Sequence, residues 1–449
     1  MKINKIVVSL FTAGLMASPL ANATNGYFSH GYGLKAKGMG GASTAMVIDT
    51  FGGANNPASM VWVGDRLDIG LDLFMPKREV SRQGSNTPVP PFPVGTPAGL
   101  YDGTSVSGSN LFYVPEFGYS KLINPDLLLG VTVYGNGGMN TDYDAGLNGG
   151  ASAQSFAPSC AGAPSNILFG CGKLGVDLMQ LIIAPTASYK INENNSVGIS
   201  PLLGYQKFKV DGLQAFEGMS SSPGNVTNNG YDTSTGWGVR FGWLSKLSDT
   251  LSMGAAYSSR MRMSPFEKYK GLFAEGGDFD IPENYNIGIA VKATPETTVA
   301  FDIQQINYSD VKSIGNAVSN SLASADGLGS TNGSGFGWRD QTVYKLGVEY
   351  AYSTSLVLRA GYNYGKSPVR GDSIDDVTFN ILAPGVVERH LTLGTTWTLD
   401  NKSELTVSYM HAFSNSVTGP SVTSLLGVGG TETLTMKQNT LGIAYGMKL

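Results

Sequence analysis

Between Thr440 and Leu449 the chain alternates: Leu441, Ile443, Tyr445, Met447 and Leu449 are apolar, with Thr440, Gly442, Ala444, Gly446 and Lys448 between them. A period of two belongs to an extended strand with one apolar face. The same alternation recurs along the sequence. Leu67, Ile69, Leu71 and Leu73 oppose Asp68, Gly70 and Asp72; Val299, Phe301 and Ile303 oppose Asp302 and Gln304. Tyr344, Leu346, Val348 and Tyr350 oppose Lys345, Gly347 and Glu349, and Leu358, Ala360 and Tyr362 oppose Arg359, Gly361 and Asn363. The strands run to about ten residues, as membrane strands do, against about five or six in a soluble β-sandwich, whose strands also alternate. The polar face carries Asp68, Asp72, Arg240, Asp302, Lys345, Glu349 and Arg359. The apolar face is therefore the outside, against lipid, and the sheet must close so that every backbone group is paired.

The connections alternate too. Short polar turns fall at 123–126, 192–195, 247–250, 294–296, 352–354 and 400–402, and long glycine-rich loops near 81–108, 136–172, 212–234, 264–280, 310–340, 366–387 and 414–432. Seven long loops and six short turns separate fourteen strands. An even strand number with short periplasmic turns and long external loops predicts a transmembrane 14-stranded antiparallel β-barrel, an all-β fold.

Three further features place the chain. Lys2 and Lys5 precede an apolar run from Ile6 to Leu20 and the small-x-small sequence Ala21-Asn22-Ala23. This is the pattern of a secretory signal peptide over residues 1–23, so the exported chain is expected to start near Thr24. Only 14% of residues are charged and 60 of 449 are glycine, whereas a soluble domain carries about 25% charge. A net charge of −4 gives no reason to expect nucleic acid. Cys160 and Cys171 are the only cysteines. Export into an oxidising compartment favours a disulfide between them; their spacing, with no histidine near, speaks against a metal site.

Residues 24–64 break the strand pattern. Glycines 38, 40, 41, 52 and 53 allow close backbone packing, a short helix is expected over Ser43 to Ile48, and the aromatic content is too high for a disordered leader. About forty compact residues before the first strand would sit in the lumen or at its periplasmic mouth, since a barrel this wide needs filling. The domain reading is thus signal peptide 1–23, plug 24–64 and barrel 65–449.

At this point a resemblance appears. Asn25 to Gly41 followed by Asn56-Pro57-Ala58 resembles the N-terminal hatch of the FadL family of outer-membrane long-chain fatty-acid transporters, which includes importers of aromatic hydrocarbons. Trp338-Arg339-Asp340 through Arg359-Ala360-Gly361 to Ser367-Pro368-Val369, and Val407 to His411, are similar to the same family, in order. The chain departs from it in the long loops, above all 136–172 with its cysteine pair, and in ending on Leu449 rather than an aromatic.

The resemblance implies passive uptake of a hydrophobic small molecule into the bacterial outer membrane: capture by apolar loops, passage to a pocket, contact with the hatch, and lateral exit into membrane lipid beside a kinked third strand. Asn56, Pro57 and Ala58 match the hatch marker, and Tyr27 or Phe28 could touch ligand. Equally, all five could only pack the plug. Gly135, Gly137 and Gly138 could form the kink, or end an ordinary strand. Phe92, Leu168, Phe169, Leu272 and Phe273 could capture ligand, stiffened by Pro88, Pro90, Pro91, Pro93 and Pro97. Arg240 and Arg359 could meet a carboxylate or pair within the lumen. His30, His390 and His411 lie in no recognisable nucleophile motif, so no enzyme, catalytic residue, metal or cofactor is expected; an adhesin or purely structural barrel is the alternative of another class. A monomer is expected, since one barrel can enclose its own pathway. Fatty acids, alkanes and aromatic hydrocarbons all stay open.

Overall fold

The structure, a computed structural model, describes residues 25–85, 98–147, 154–155, 157–323, 326–427 and 429–449. The expected signal peptide 1–23 and Pro88, Pro90, Pro91, Phe92, Pro93 and Pro97 lie outside the described residues.

One antiparallel sheet of sixteen strands closes on itself. Two of its strands, Gly103–Val106 and Arg262–Met263, are short additions at the loop end, which leaves fourteen in the wall. These are β1 (Arg66–Gln83), β2 (Phe112–Asn124), β3 (Leu127–Tyr143), β4 (Leu174–Lys190), β5 (Asn195–Asp211), β6 (Asp232–Lys246) and β7 (Leu251–Ser258). They continue as β8 (Asn284–Lys292), β9 (Thr297–Ile306), β10 (Gln341–Ala351), β11 (Leu356–Gly365), β12 (Arg389–Thr398), β13 (Glu404–Pro420) and β14 (Thr431–Lys448). Each pairs with its sequence neighbour, and β1 closes the ring on β14 from Arg66↔Lys448 to Gln83↔Thr431.

The polarity is the inverse of a soluble protein. Ile287, Leu393 and Ile443 are all more than half exposed, while Asp68, Asp72, Glu116, Asp302 and Lys345 are buried on the inner face. Exposed aromatics gather at both ends of the apolar band: Trp243, Tyr350 and Trp397 toward the short turns, Trp237, Tyr285 and Tyr362 toward the long loops. Such girdles mark the two membrane interfaces. Among the described residues no helix is long and apolar enough to cross a membrane.

Residues 25–64 fold inside this wall and are tied to it through polar groups. Lys37 reaches Asp72 and, at 3.3 Å, Glu116. Lys35 pairs with Glu404 at 2.5 Å, and Glu404 also accepts from Arg66. The carboxylate of Asp68 accepts from the Thr50 hydroxyl at 2.7 Å. Buried charges persist only when paired and hydrogen-bonded, so inner segment and wall satisfy each other.

Two expectations are corrected. Ser43 to Ile48 is not helical: the amides of Ser43 and Thr44 donate to the Asp302 carboxylate at 2.8 and 2.9 Å, so bonds that a helix would use go to the wall. The helical turns are Leu34–Lys37, Gly52–Asn55 and the 3-10 segment Pro57–Trp62. Nor does the third strand end at residue 136; it runs on to Tyr143. Cys160 and Cys171 are joined in a disulfide.

Polarity yields a direct prediction. Leu393→Arg, placing a cation on the outer face, should cost about 2–4 kcal/mol of unfolding free energy in lipid vesicles if the site lies near the bilayer midplane. A neutral result by urea titration would mean that this face does not meet hydrocarbon.

Candidate functional site

The site forms where β3 leaves the wall. From Phe117↔Val133 to Leu122↔Leu128, β2 and β3 pair in regular register, with a shift beside the turn between Leu122 and Asn124. Above Val133 their pairing stops, although β3 stays bonded to β4 up to Tyr143↔Leu174. A register shift between Gly135 and Gly137 makes Asn136 an extra residue, a β-bulge. From Tyr134 to Thr141 every residue is buried, so the in–out alternation of a wall strand is lost and this stretch lies inside the barrel.

Its freed edge is taken up by the start of the inner segment. Ser29 N–H donates to the Asn136 carbonyl at 3.1 Å, and Gly138 N–H to the Tyr27 carbonyl at 3.3 Å. Phe28 and Gly137 form a bridge. Tyr32 donates to the Asn136 side chain at 2.9 Å, and that amide donates to Gln180. Gly135 and Gly137 thus flank the bulge, and Gly138 follows it.

Two apolar cavities flank this junction. The inner one, about 330 Å³ counting the space open to solvent, is lined by Gly26 and Tyr27 of the inner segment, Phe74 and Arg78 of β1, Gly138 to Asn140 of β3, and Trp338. The outer one, about 480 Å³ with its mouth, is walled chiefly by Phe208, Phe216, Phe273, Phe336 and Phe379. Between them stands a partition. Leu382 and Phe336 face the outer cavity, while Ala383 to Gly385 and Trp338 face the inner one. Asn380 fixes it by accepting from the Trp338 indole at 2.5 Å and donating to the Phe336 carbonyl at 2.7 Å. Tyr27 packs on Trp338, Tyr308 and Phe279 with ring centroids 5.3 to 6.3 Å away.

Where β2 and β3 part, the gap is filled by grease. Phe74, Phe112 and Val114 point inward from β1 and β2, and they cluster with Met179 and Leu181 of β4. Those two share the parity of exposed Ile183, so they face outward. Inner-face and outer-face residues meet here because β3 no longer separates them. Phe74 also lines the inner cavity, which makes an unbroken apolar path from lumen to lipid.

Arg78 is the charge in that path. It is buried, and among the described residues no carboxylate lies within ion-pair distance of it. It donates to the Ser109 carbonyl, stacks 5.8 Å from the Phe112 ring centroid, and leaves its Nε without a partner. The alternation through Asp68 and Asp72 puts residue 78 on the inner face; extending the pattern of β1 past residue 73 would have found it.

Other singled-out residues lie elsewhere. Asn56 caps the 3-10 segment and donates to the Thr44 and Trp243 carbonyls, while Asn56, Pro57 and Ala58 press on Gly198 and Gly242, where a Cβ would collide. They line neither cavity. Arg240 donates to Ser258 at 2.5 Å, and Arg359 pairs with Glu349 at 2.7 Å and donates to Thr396. Leu272 and Phe273 line the outer cavity. Leu168 and Phe169 are buried, Phe169 beneath Arg82 with 4.3 Å between guanidinium and ring centroid. His30 and His390 stack inside, 6.3 Å apart, and His411 bonds Asn439 on the outer wall. Among the described residues no cluster of His, Cys, Asp or Glu could hold a metal ion.

A closed wall with an apolar outer face, its lumen filled from within, defines a membrane β-barrel. Residues 171–449 match the family described as outer membrane protein transport protein (OMPP1/FadL/TodX), and the chain belongs to that family. It is therefore an outer-membrane transport protein, in a family of channels and not of enzymes. Among solved structures, the toluene transporter TodX of P. putida aligns at TM-score 0.64 and 17% identity, over 94% of this chain and 99% of that one. The toluene transporter TbuX of Ralstonia pickettii aligns at 0.61 and 16%, over 94% and 99%. A FadL homologue of Pseudomonas aeruginosa aligns at 0.64 and 15%, over 96% and 100%. At such identities the likeness speaks for the fold. No curated protein matches the sequence.

The external loops carry two carboxyls that burial raises, Asp376 and, further, Asp278. Burial, then the neighbouring Asp280, raises the Asp278 carboxyl above the usual range to about 7, with Arg260 opposing. The folded loops hold that proton more tightly than the unfolded chain does. Raising the pH from about 4 to about 7 should therefore withdraw stability from this layer. Limited proteolysis of the loops should quicken over that range, and Asp278→Asn should flatten the profile. An unchanged profile in the variant would locate the pH effect in another group.

Proposed function

We propose that this chain takes up hydrophobic molecules, long-chain fatty acids foremost, by loop capture, displacement of the inner segment as a hatch, and lateral release through the wall. The observation that carries the reading is the break in β3: its edge is held by Tyr27 and Ser29, beside an apolar cavity that opens on an apolar gap. Ligand enters the outer cavity, where burying each methylene is worth about 0.8 kcal/mol. Passing the Trp338–Asn380 partition, it reaches the inner cavity and competes with Tyr27 for that space. The backbone bonds to Asn136 and Gly138, the hydrogen bonds from Tyr32 to Asn136 and from Tyr308 to the Asn25 carbonyl, and the ring contacts of Tyr27 and Phe28 are what the amino end of the hatch must give up, all of them neutral. Release sideways, past Phe112 and Met179, spares the alkyl chain any passage through water.

Arg78 favours a ligand with an acidic head. A buried guanidinium without a carboxylate is costly, and a fatty-acid carboxylate would fill that role while its tail lies along Phe74 and Met139. The aromatic cage of Tyr27, Tyr308 and Trp338 favours a second reading, import of aromatic hydrocarbons, in keeping with the monoaromatic cargo named for TodX and CymD.

Two experiments separate these readings. Arg78→Met should lower oleate uptake about tenfold and leave toluene entry unchanged; equal loss of both would give Arg78 a structural role. Deleting residues 24–33 should abolish regulated uptake while the barrel keeps its melting temperature. If uptake and melting fall together, the segment is a folding element and not a gate.

A further inference from the structure

On the outer face of the seam between β1 and β14 the side chains descend in facing pairs. Leu71↔Ile443 and Leu73↔Leu441 are apolar, Met75↔Asn439 marks the end of the apolar band, and Lys77↔Lys437 comes next on the side of the long loops. Both lysines are exposed. Residues directly opposite on antiparallel strands have Cβ atoms about 4.5–5.5 Å apart, and like charges there are destabilising.

Among the described residues no carboxylate lies within ion-pair distance of Lys77 or Lys437. Glu79, the nearest acid on the same face, stands one row further out, opposite Thr435. Three other lysines of the loop end do have acids: Lys173 lies 3.0 Å from Asp142, Lys209 3.2 Å from Asp211 and Lys312 3.1 Å from Glu275; the exposed Lys268, Lys270 and Lys366 have no ion pair among the described residues, but none of them is set opposite a second lysine across two paired strands. The unmatched pair thus sits where the wall emerges from hydrocarbon, about two residue pairs, or roughly 13 Å of strand, past Leu73.

We infer that Lys77 and Lys437 form a binding site for a phosphate group of an outer-leaflet glycolipid, which bridges the two ammonium groups while its acyl chains lie along Leu71, Leu73, Leu441 and Ile443. A lysine serves a phosphate as a point charge with three donors. An anion between two ammonium groups turns their repulsion into a double ion pair, at the edge of a low-dielectric layer where screening is weak. The site anchors a lipid to the strand that carries Phe74 and Arg78 of the transport path, but it is independent of cargo.

The test is native mass spectrometry of the purified protein in detergent, titrated with diphosphorylated lipid A, with its dephosphorylated form, and with inorganic phosphate. The wild-type protein should hold one diphosphorylated lipid, and Lys77→Gln with Lys437→Gln should weaken it about tenfold or more. Lys77→Arg with Lys437→Arg should retain it, which separates charge from any loss of fold. Equal binding by the glutamine variant, or equal binding of the dephosphorylated lipid, would overturn the site. Displacement of the lipid by inorganic phosphate at the same concentration would overturn its assignment to a lipid headgroup.

Discussion

At membrane depth a backbone N–H or C=O must find its partner within the protein, and between Tyr134 and Thr141 the natural partner, β2, has moved out of reach. Everything distinctive about this barrel follows from how that debt of hydrogen bonds is met. β3 turns inward, away from lipid, and Tyr27 and Ser29 supply bonds that a neighbouring strand would otherwise give. The arrangement is two-sided. With the inner segment docked, the edge is satisfied and the gap is closed by side chains alone. Were the segment to leave, the strand edge would open toward a cavity already lined with apolar groups.

The rest of the inner segment is held differently. Lys35, Lys37, Thr44 and Thr50 bond to Glu404, Asp72, Asp302 and Asp68 of the wall, and Trp62 sits between Lys190 and Lys246 with its indole donating to Ser196. Breaking any one of these ion pairs strands a charge in the lumen, at a cost of about 3–5 kcal/mol. By contrast the first residues hold on through neutral hydrogen bonds, about 0.5–1.5 kcal/mol each net, and ring contacts. Strength is graded along the segment, weak at the amino end near the cavity and strong toward β1. A ligand able to bury a few methylenes commands energy of the first scale and not of the second.

The wall was legible in the sequence because lipid imposes a rule on every second residue. Alternation such as Leu441 to Leu449 needs no knowledge of neighbours, and loop lengths then gave strand number. The family motifs added the plug. The site was harder to read, since it exists where the rule fails. Gly135 to Gly138 looked like a strand leaving for a loop, because glycine alone does not distinguish a bulge from an end; only the pairing with β4 does. Asn56-Pro57-Ala58 stood out as a motif, yet its neighbours Gly198 and Gly242 show a packing reason for it. Phe74, Phe112 and Met179 come from three strands and meet only because β3 is displaced, a contact no single segment announces. Ser43 to Ile48 misled in the other direction, local helix propensity yielding to the Asp302 carboxylate.

Charge placement ties these layers together. Arg359 and Arg240 had the face expected of a carboxylate receptor, but Glu349, Thr396, Ser258 and Asn284 already occupy their donors. A cation whose hydrogen bonds are filled is architecture. Arg78, buried without an acid as Arg240 is, differs in that its Nε has no partner, in a cavity otherwise of grease, next to the strand that leaves the wall. Desolvating a guanidinium there, with one donor unmet, is costly. The place where the fold bears an unmatched charge is thus also the place where its backbone is held by the most weakly tethered residues.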